Sequence, residues 1–149
     1  MSLIVEKVEL TGKIKDIHLY RMENKTIRKE AFNWFNSKFQ NEVGEIYTSK
    51  FYTPQESWSN SRVWFFQIPL EVVYAKVAKK IHLICKNHLA GEKFIYLKVS
   101  SLFFLKNLNS LDVDQKEKVV RIYLSAEAVN MFKEVRGKDK IDFKEFLIT

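Results

Sequence analysis

Two segments of alternating residues, Lys80–Lys86 and Lys93–Val99, limit the possible fold more than any other feature of the sequence. Their side chains alternate in chemical type along each segment, and residues 88–91 between them end in glycine, which favours a turn. Successive side chains of a strand point to opposite faces of a sheet. The sequence therefore predicts a β-hairpin with two chemically different faces.

One face of this predicted hairpin is suited to a hydrophobic core. Its members are aliphatic except for the single cysteine, and they are Ile81, Leu83, Cys85, Ile95, Leu97 and Val99. The opposite face mixes cationic and aromatic groups, and its members are Lys80, His82, Ile84, Lys86, Phe94, Tyr96 and Lys98. Lysines neutralise phosphates and aromatic rings accept stacked bases, so this pattern is typical of sheets that bind nucleic acid.

The lysines of the hairpin belong to a local excess of positive charge. The chain carries a net charge of +7, and residues 76–106 contain seven lysines with Glu92 as their only acidic residue, a net +6. Positive charge attracts anionic partners most strongly where it is concentrated in one part of the surface. We therefore expect an anionic partner to meet this part of the chain.

Other segments predict the elements around the hairpin. Apolar residues recur at helical spacing across Thr26–Gln40, which predicts an amphipathic helix with Asn24 or Thr26 as its N-cap. A first hairpin is predicted from Leu3–Leu10 and Lys13–Met22, around Thr11-Gly12.

Three further strands and three further helices follow from composition and caps. The strands are predicted at Glu45–Tyr52, Arg62–Ile68 and Lys118–Leu124. The helices are predicted from Pro69 to Lys79, from Ser100 or Ser101 to Leu108, and from Ser125 to Gly137. The sequence predicts one α+β domain, residues 1–149, with a predominantly antiparallel sheet and three to four packed helices.

The cysteine content and the apolar runs indicate the compartment. Cys85 is the only cysteine and cannot form an internal disulfide, which favours a reducing environment. Charged side chains interrupt the apolar residues among the first ten positions. This segment therefore has no continuous apolar stretch of the length found in a signal peptide. No apolar run approaches the roughly 18 residues that cross a bilayer. We expect a cytoplasmic protein with no membrane partner.

The leading functional hypothesis is a non-catalytic nucleic-acid-binding module. Its predicted site consists of Lys80, His82, Lys86, Lys93, Phe94, Tyr96 and Lys98 on the hairpin, together with Trp58 from a polar loop. The alternative is that a helix covers Ile84, Phe94 and Tyr96, while the lysines stay at the sheet edge and protect it from aggregation.

An aromatic stretch suggests a different class of function. Residues 47–66 contain seven aromatic side chains, namely Tyr47, Phe51, Tyr52, Trp58, Trp64, Phe65 and Phe66. Trp58 either contributes to a cage for a base or cation, or folds over the core as a plug. A protein-interaction module or homodimer, packing through a surface around Tyr52, Trp58 and Trp64, is therefore a second hypothesis.

Catalytic and metal motifs are weak. His82, Cys85 and His88 have a metal-like spacing, but His82 and Cys85 point to opposite faces of a strand, so we expect no metal site. Asp142-Phe143-Lys144, with Asp139 nearby, has the local spacing of a metal-dependent nuclease, and Glu71 is a further candidate acid. A metal-dependent nuclease is therefore a third hypothesis, which requires acidic residues from distant parts of the chain to converge near the basic surface. A glycine-rich phosphate loop and a nucleophile elbow are both missing, so we predict no catalytic residue and no cofactor.

Overall fold

Two β-sheets and three helices form the fold. The computed structural model describes residues 12–57 and 60–149, with residues 12–23 described as backbone. The helices are α1 (Gly12–Lys38), α2 (Leu70–Val73) and α3 (Ser101–Lys106). The strands are β1 (Glu45–Ser49), β2 (Val63–Pro69), β3 (Lys80–Lys86), β4 (Phe94–Ser100), β5 (Asp112–Asp114), β6 (Val119–Ser125) and β7 (Leu147–Ile148).

The strand order confirms the predicted fold class. Sheet A has the order β1-β3-β4-β7, in which β1 is parallel to β3 and the other neighbours are antiparallel. Sheet B has the order β2-β6-β5 and is antiparallel throughout. The described residues form a single α+β domain, as the sequence predicts. No helix among them has both the length and the apolar character needed to cross a membrane.

The main core lies between the two sheets. Its central members are Ile81, Leu83, Cys85, Leu97 and Val99 from sheet A and Trp64, Phe66, Ile68, Val120, Ile122 and Leu124 from sheet B. Each large apolar side chain buried in this way stabilises the fold by about 1.5–3 kcal/mol. The indole N–H of Trp64 donates to the backbone oxygen of Lys86 at 2.9 Å, so its polar atom is satisfied inside the core.

Helix α1 covers the other face of sheet A and forms a second core. Ala31 and Phe35 on the helix pack against Ile84, Phe94 and Tyr96 on the hairpin β3–β4. The rings of Phe35 and Tyr96 meet edge to face, with centroids 5.1 Å apart. The predicted helix at Thr26–Gln40 and the predicted faces of the hairpin are confirmed.

The first predicted hairpin is wrong in its described half. Lys13–Met22 is helical and belongs to α1, while Leu3–Leu10 lies outside the described residues. Residues 13–38 contain neither glycine nor proline, so nothing in this segment interrupts the helix. Asn24 and Thr26 are consequently interior helix residues rather than N-caps. Short apolar alternation did not distinguish a strand from the start of a long helix.

The helix predicted from Pro69 is shorter than expected. Pro69 precedes α2, but α2 ends at Val73 rather than near Lys79. The backbone N–H of Lys79 donates to the Ser101 hydroxyl, and the N–H of Ser101 donates to the Lys79 oxygen, both at 2.8 Å. These two hydrogen bonds hold the end of the segment between α2 and β3 against the start of α3. The Ser100 hydroxyl caps α3 by accepting the N–H of Leu102, as predicted.

The helix predicted from Ser125 to Gly137 is wrong. Turns and isolated bridges replace it, and Phe132 has a φ of 71° that a right-handed helix does not allow. This conformation sends the Phe132 ring into the core, where it stacks on Trp64 with centroids 5.5 Å apart. Gly137 is therefore not a helix cap. It is required because an added Cβ would lie 2.0 Å from the backbone oxygen of Ser110.

The packing of Gly137 leads to a stability prediction. Gly137→Ala should lower the free energy of unfolding by about 2–4 kcal/mol, because the backbone near Ser110 must move to admit the methyl group. Lys138→Ala is the matched control, because Lys138 is the exposed neighbour of Gly137 and its side chain can be shortened without a new contact. The control substitution should change the free energy of unfolding by less than about 0.5 kcal/mol. Urea unfolding of both variants measures the difference, and equal losses would contradict the close packing.

Candidate functional site

The hairpin face predicted to bind nucleic acid lies mostly beneath α1. His82 is 1% exposed, and Phe94 and Tyr96 are each 2% exposed. Ile84 is fully buried between them. The structure thus has the covered arrangement, in which these rings are core side chains, and it corrects the expectation that Phe94 and Tyr96 offer open faces to bases.

The lysines of the predicted site are separated along the hairpin. Lys80 and Lys98 lie near the start of β3 and the end of β4, while Lys86 and Lys93 lie beside the turn. The length of β3 separates the two groups, a distance of about 20 Å. The structure therefore does not bring the predicted site residues together as one continuous strip.

Acidic residues compensate the lysines at the first of these ends. The Lys98 ammonium contacts the Glu42 carboxylate at 2.7 Å, and the Lys80 ammonium is 4.0 Å from the same group. Glu45 lies 3.9 Å from Lys79. The hydrogen bond from Lys98 is the main reason that the pKa of Glu42 is lowered, so that carboxylate stays ionised. Near the turn, the Lys86 ammonium lies over the Phe94 ring, and Lys93 is exposed.

The aromatic stretch divides between core and surface. Trp64 and Phe66 are core residues, which removes Trp64 from any exposed docking surface. Tyr47, Phe51 and Phe65 are partly exposed, and Tyr52 is buried. Trp58 lies outside the described residues, so its predicted role as stacking group or core plug stays a prediction.

The candidate metal and nuclease residues have structural contacts instead. His82 faces α1 while Cys85 faces sheet B, where burial raises the pKa of its thiol. The Asp142 carboxylate accepts the N–H of Lys144, and the Asp139 carboxylate accepts the Ser110 hydroxyl. In residues 12–57 and 60–149, no three His, Cys, Asp or Glu side chains gather in a group that could hold a metal ion.

The most prominent surface feature lies where α2, the segment after it and α3 meet. Four large apolar side chains are exposed there: Tyr74 at 57%, Val77 at 80%, Leu102 at 55% and Leu105 at 39%. The contacts of α2 with α3 and the paired hydrogen bonds between Lys79 and Ser101 hold these segments together. We call this surface the α2–α3 patch.

Three lysines lie on the segments that form the α2–α3 patch. Lys76 and Lys106 are exposed and form no ion pair with any described residue. Lys79 borders the patch from its position next to Ser101. Glu71, on α2, is the only acidic residue in α2, in α3 or between Val73 and Lys80. Apolar surface and uncompensated positive charge therefore coincide.

Sequence reasoning missed this patch although a signal for it existed. Residues 102–105 of α3 are four consecutive apolar residues, Leu-Phe-Phe-Leu. Successive helix positions are rotated by about 100°, so four of them surround the helix. A helix packed on one side cannot bury all four, and two of them had to face outward. Phe104 is buried and Phe103 is partly buried, which leaves Leu102 and Leu105 outside.

His82 is the buried titratable group at the centre of the hairpin face. Its Nε2 lies 3.0 Å from the Val43 backbone oxygen and its Nδ1 lies 2.7 Å from the Tyr96 hydroxyl. Because a carbonyl only accepts, Nε2 carries the proton and Nδ1 accepts the hydroxyl hydrogen. Burial, opposed in part by the Val43 oxygen and Glu42, lowers the pKa of His82.

The lowered pKa of His82 predicts acid-sensitive stability. The unfolded chain binds the proton more tightly than the folded chain, so the free energy of unfolding should fall as the pH drops through about 6.5. The loss is about 1.4 kcal/mol for each pH unit between the two pKa values. Urea unfolding at pH 7.5 and 5.5 measures it. His82→Gln should flatten this dependence.

His88 provides the control, because it is partly exposed and its pKa is also lowered, chiefly by burial. His88→Gln should keep most of the pH dependence. If His82→Gln does not fold, the imidazole resonances of the wild-type protein followed by NMR should titrate below the ordinary histidine range. A normal His82 titration would contradict the prediction.

Comparisons with protein-family models, with curated proteins and with solved structures found no match. The α2–α3 patch combines four exposed apolar side chains with part of the local excess of lysine.

Proposed function

We propose that this protein is a non-catalytic protein-binding module whose α2–α3 patch docks an acidic, partly apolar segment of a partner protein. The exposure of Tyr74, Val77, Leu102 and Leu105 among uncompensated lysines carries this proposal. The proposal keeps the protein-interaction function that the aromatic stretch suggested, but it places the interface on a different surface. The core of a protein interface is apolar and its rim is polar, and the patch has this arrangement.

The lysines indicate that the partner segment carries negative charge. Lys76 and Lys106 carry charge that no described residue neutralises, whereas the Lys79 ammonium has the Glu45 carboxylate 3.9 Å away. Complementary charge accelerates encounter and disfavours partners of the same sign. The apolar side chains supply affinity after docking, because their area leaves water. The partner segment should therefore combine aspartate or glutamate with leucine or aromatic residues.

The same charges argue against a symmetric homodimer through this patch. A two-fold interface places the patch of one copy against the identical patch of another. Lys76 and Lys106 of the two copies would then meet like charges, which costs free energy. Light scattering across a range of protein concentrations tests this point, and a dimer broken by Val77→Glu would show that a second copy is the occupant instead.

Substitution of a patch valine tests the proposed docking surface. The probe is a fluorescent acidic peptide selected on the wild-type protein from a displayed peptide library. Val77→Ser should weaken its binding about tenfold, because a polar group replaces an apolar one at the centre of the interface. Val129→Ser is the matched control, since Val129 is 91% exposed and belongs to the loop after β6. Fluorescence anisotropy measures both affinities.

Two results would contradict the docking proposal. One is a selected peptide set without enrichment in acidic residues. The other is equal binding by the Val77→Ser variant and the wild-type protein. Leu102→Ser provides a second patch variant, because Leu102 is 55% exposed and its replacement leaves the core intact.

Nucleic-acid binding is the second candidate, now without base stacking on the hairpin. Lys76, Lys93 and Lys106 are exposed and unpaired among the described residues, which leaves them available to phosphates. Lysine binds phosphate as a point charge and reads no base sequence. This candidate therefore predicts binding that is sensitive to salt and indifferent to sequence.

Salt dependence separates this candidate from the first. If phosphates are bound, replacing Lys76, Lys93 and Lys106 with glutamine should reduce the slope of log affinity against log salt by about 0.7–0.9 for each phosphate that is no longer neutralised. Lys116→Gln is the control, because Lys116 is exposed in the turn between β5 and β6. Anisotropy titration with labelled single- and double-stranded DNA and RNA measures the slope. No association at low salt would remove this candidate.

The cytoplasm remains the proposed location. Cys85 is the single cysteine of the sequence and forms no internal disulfide, which is typical of proteins in a reducing compartment.

A further inference from the structure

A cleft opens between α1, β1 and β2, and none of its lining residues belongs to the α2–α3 patch. Its volume is about 450 Å³, within the range of small-molecule sites. Asn24 and Arg28, four residues apart on one face of α1, line one side. Phe65 and Gln67, on one face of β2, line another. Polar and aromatic groups thus face the same space.

The orientation of the Phe65 ring is fixed by its neighbours. It stacks on Tyr123 with centroids 4.7 Å apart and an interplanar angle of 30°. Tyr52 meets it edge to face at 6.4 Å. Phe65 is partly exposed, so the ring retains accessible surface towards the cleft. A preorganised aromatic ring of this kind can accept a planar ligand by stacking.

Arg28 favours an anion at the rim of the cleft, whereas the carboxylates of Glu45 and Glu71 near Tyr47 disfavour one beside Tyr47. Lys50 on its floor forms an ion pair with Glu56, and its ammonium lies 4.9 Å from the centre of the Tyr52 ring, so its charge is compensated. Arg28 is exposed and makes no ion pair with any described residue, and its guanidinium lies over the Phe32 ring. Arg28 is therefore the uncompensated charge at the rim, and a guanidinium binds phosphate or carboxylate with two hydrogen bonds.

From this geometry we infer that the cleft binds a planar aromatic anion of the size of a nucleoside monophosphate. The ring stacks on Phe65, its polar edge bonds to the amides of Asn24 or Gln67, and its anionic group meets Arg28. This is a small-ligand site, separate from the protein-docking function of the α2–α3 patch.

Tyr47 adds a neutral hydroxyl to the cleft. Burial and the nearby carboxylates of Glu45 and Glu71 raise the pKa of Tyr47 to about 12. Its hydroxyl is protonated at neutral pH, as an ordinary tyrosine hydroxyl is, and it can donate a hydrogen bond to a ligand in the cleft.

Ligand-observed NMR and calorimetry with AMP, GMP, CMP and UMP test the inference, with adenosine and inorganic phosphate as separate arms. At least one monophosphate should bind. Arg28→Gln should weaken it about tenfold while leaving adenosine unchanged, because the variant removes only the charge-assisted hydrogen bonds. Phe65→Leu should weaken both the monophosphate and adenosine.

Lys29→Gln and Tyr74→Leu are the matched controls. Lys29 is the exposed cation next to Arg28 on α1, and Tyr74 is an exposed aromatic residue; neither lines the cleft. Both control variants should bind like the wild-type protein. No binding by any of the four monophosphates would overturn the inference, as would equal binding by wild type and Arg28→Gln. Because Arg28 is exposed, this variant gives a result even if Phe65→Leu does not fold.

Discussion

The packing of α1 on the hairpin β3–β4 determines which surfaces of this protein are available. Phe35 inserts between the hairpin side chains, with its ring centroid 5.1 Å from that of Tyr96 and 5.0 Å from that of His82. Because the helix occupies the middle of the hairpin face, cationic groups remain accessible only near the two ends of the strands. One helix–sheet contact thereby converts a mixed cationic and aromatic face into a core with lysines at its margins.

Alternation in the sequence predicted the hairpin, its register and its two faces, because a strand has a strict two-residue period. It could not show whether the mixed face was open. His82 and Tyr96 are polar residues that satisfy each other inside the core, and the remaining nitrogen of His82 finds the Val43 oxygen, 39 residues away in the chain. Such long-range partners turn polar residues into core residues, and a local pattern contains no information about them.

The segment after β6 shows how tertiary contacts override a helical pattern. Val129, Phe132 and Val135 have helical spacing, yet Val129 is 91% exposed and only Phe132 is buried. The carboxylate of Glu134 is buried and accepts the N–H groups of Tyr123 and Arg136, at 2.9 and 3.0 Å. The Glu134 side chain thus satisfies the N–H of Arg136, which a helix would have satisfied internally, and it also joins this segment to Tyr123 of β6. The sequence signals this poorly, because a glutamate is ordinarily interpreted as a solvent-exposed residue.

Helix α1 also links the buried hairpin to the cleft. Ile27 packs against the second core and lines the cleft, while Arg28, the next residue, is exposed at the rim. Helix α1 thus covers the aromatic and cationic face of the hairpin. The same helix also forms the cleft with β2, where Arg28 and the ring of Phe65 line one space. The sequence contains both the cation and the aromatic ring, but Arg28 and Phe65 lie on separate elements, α1 and β2. Only the docking of α1 brings them into one site, so the site should be lost whenever this helix separates from sheet A.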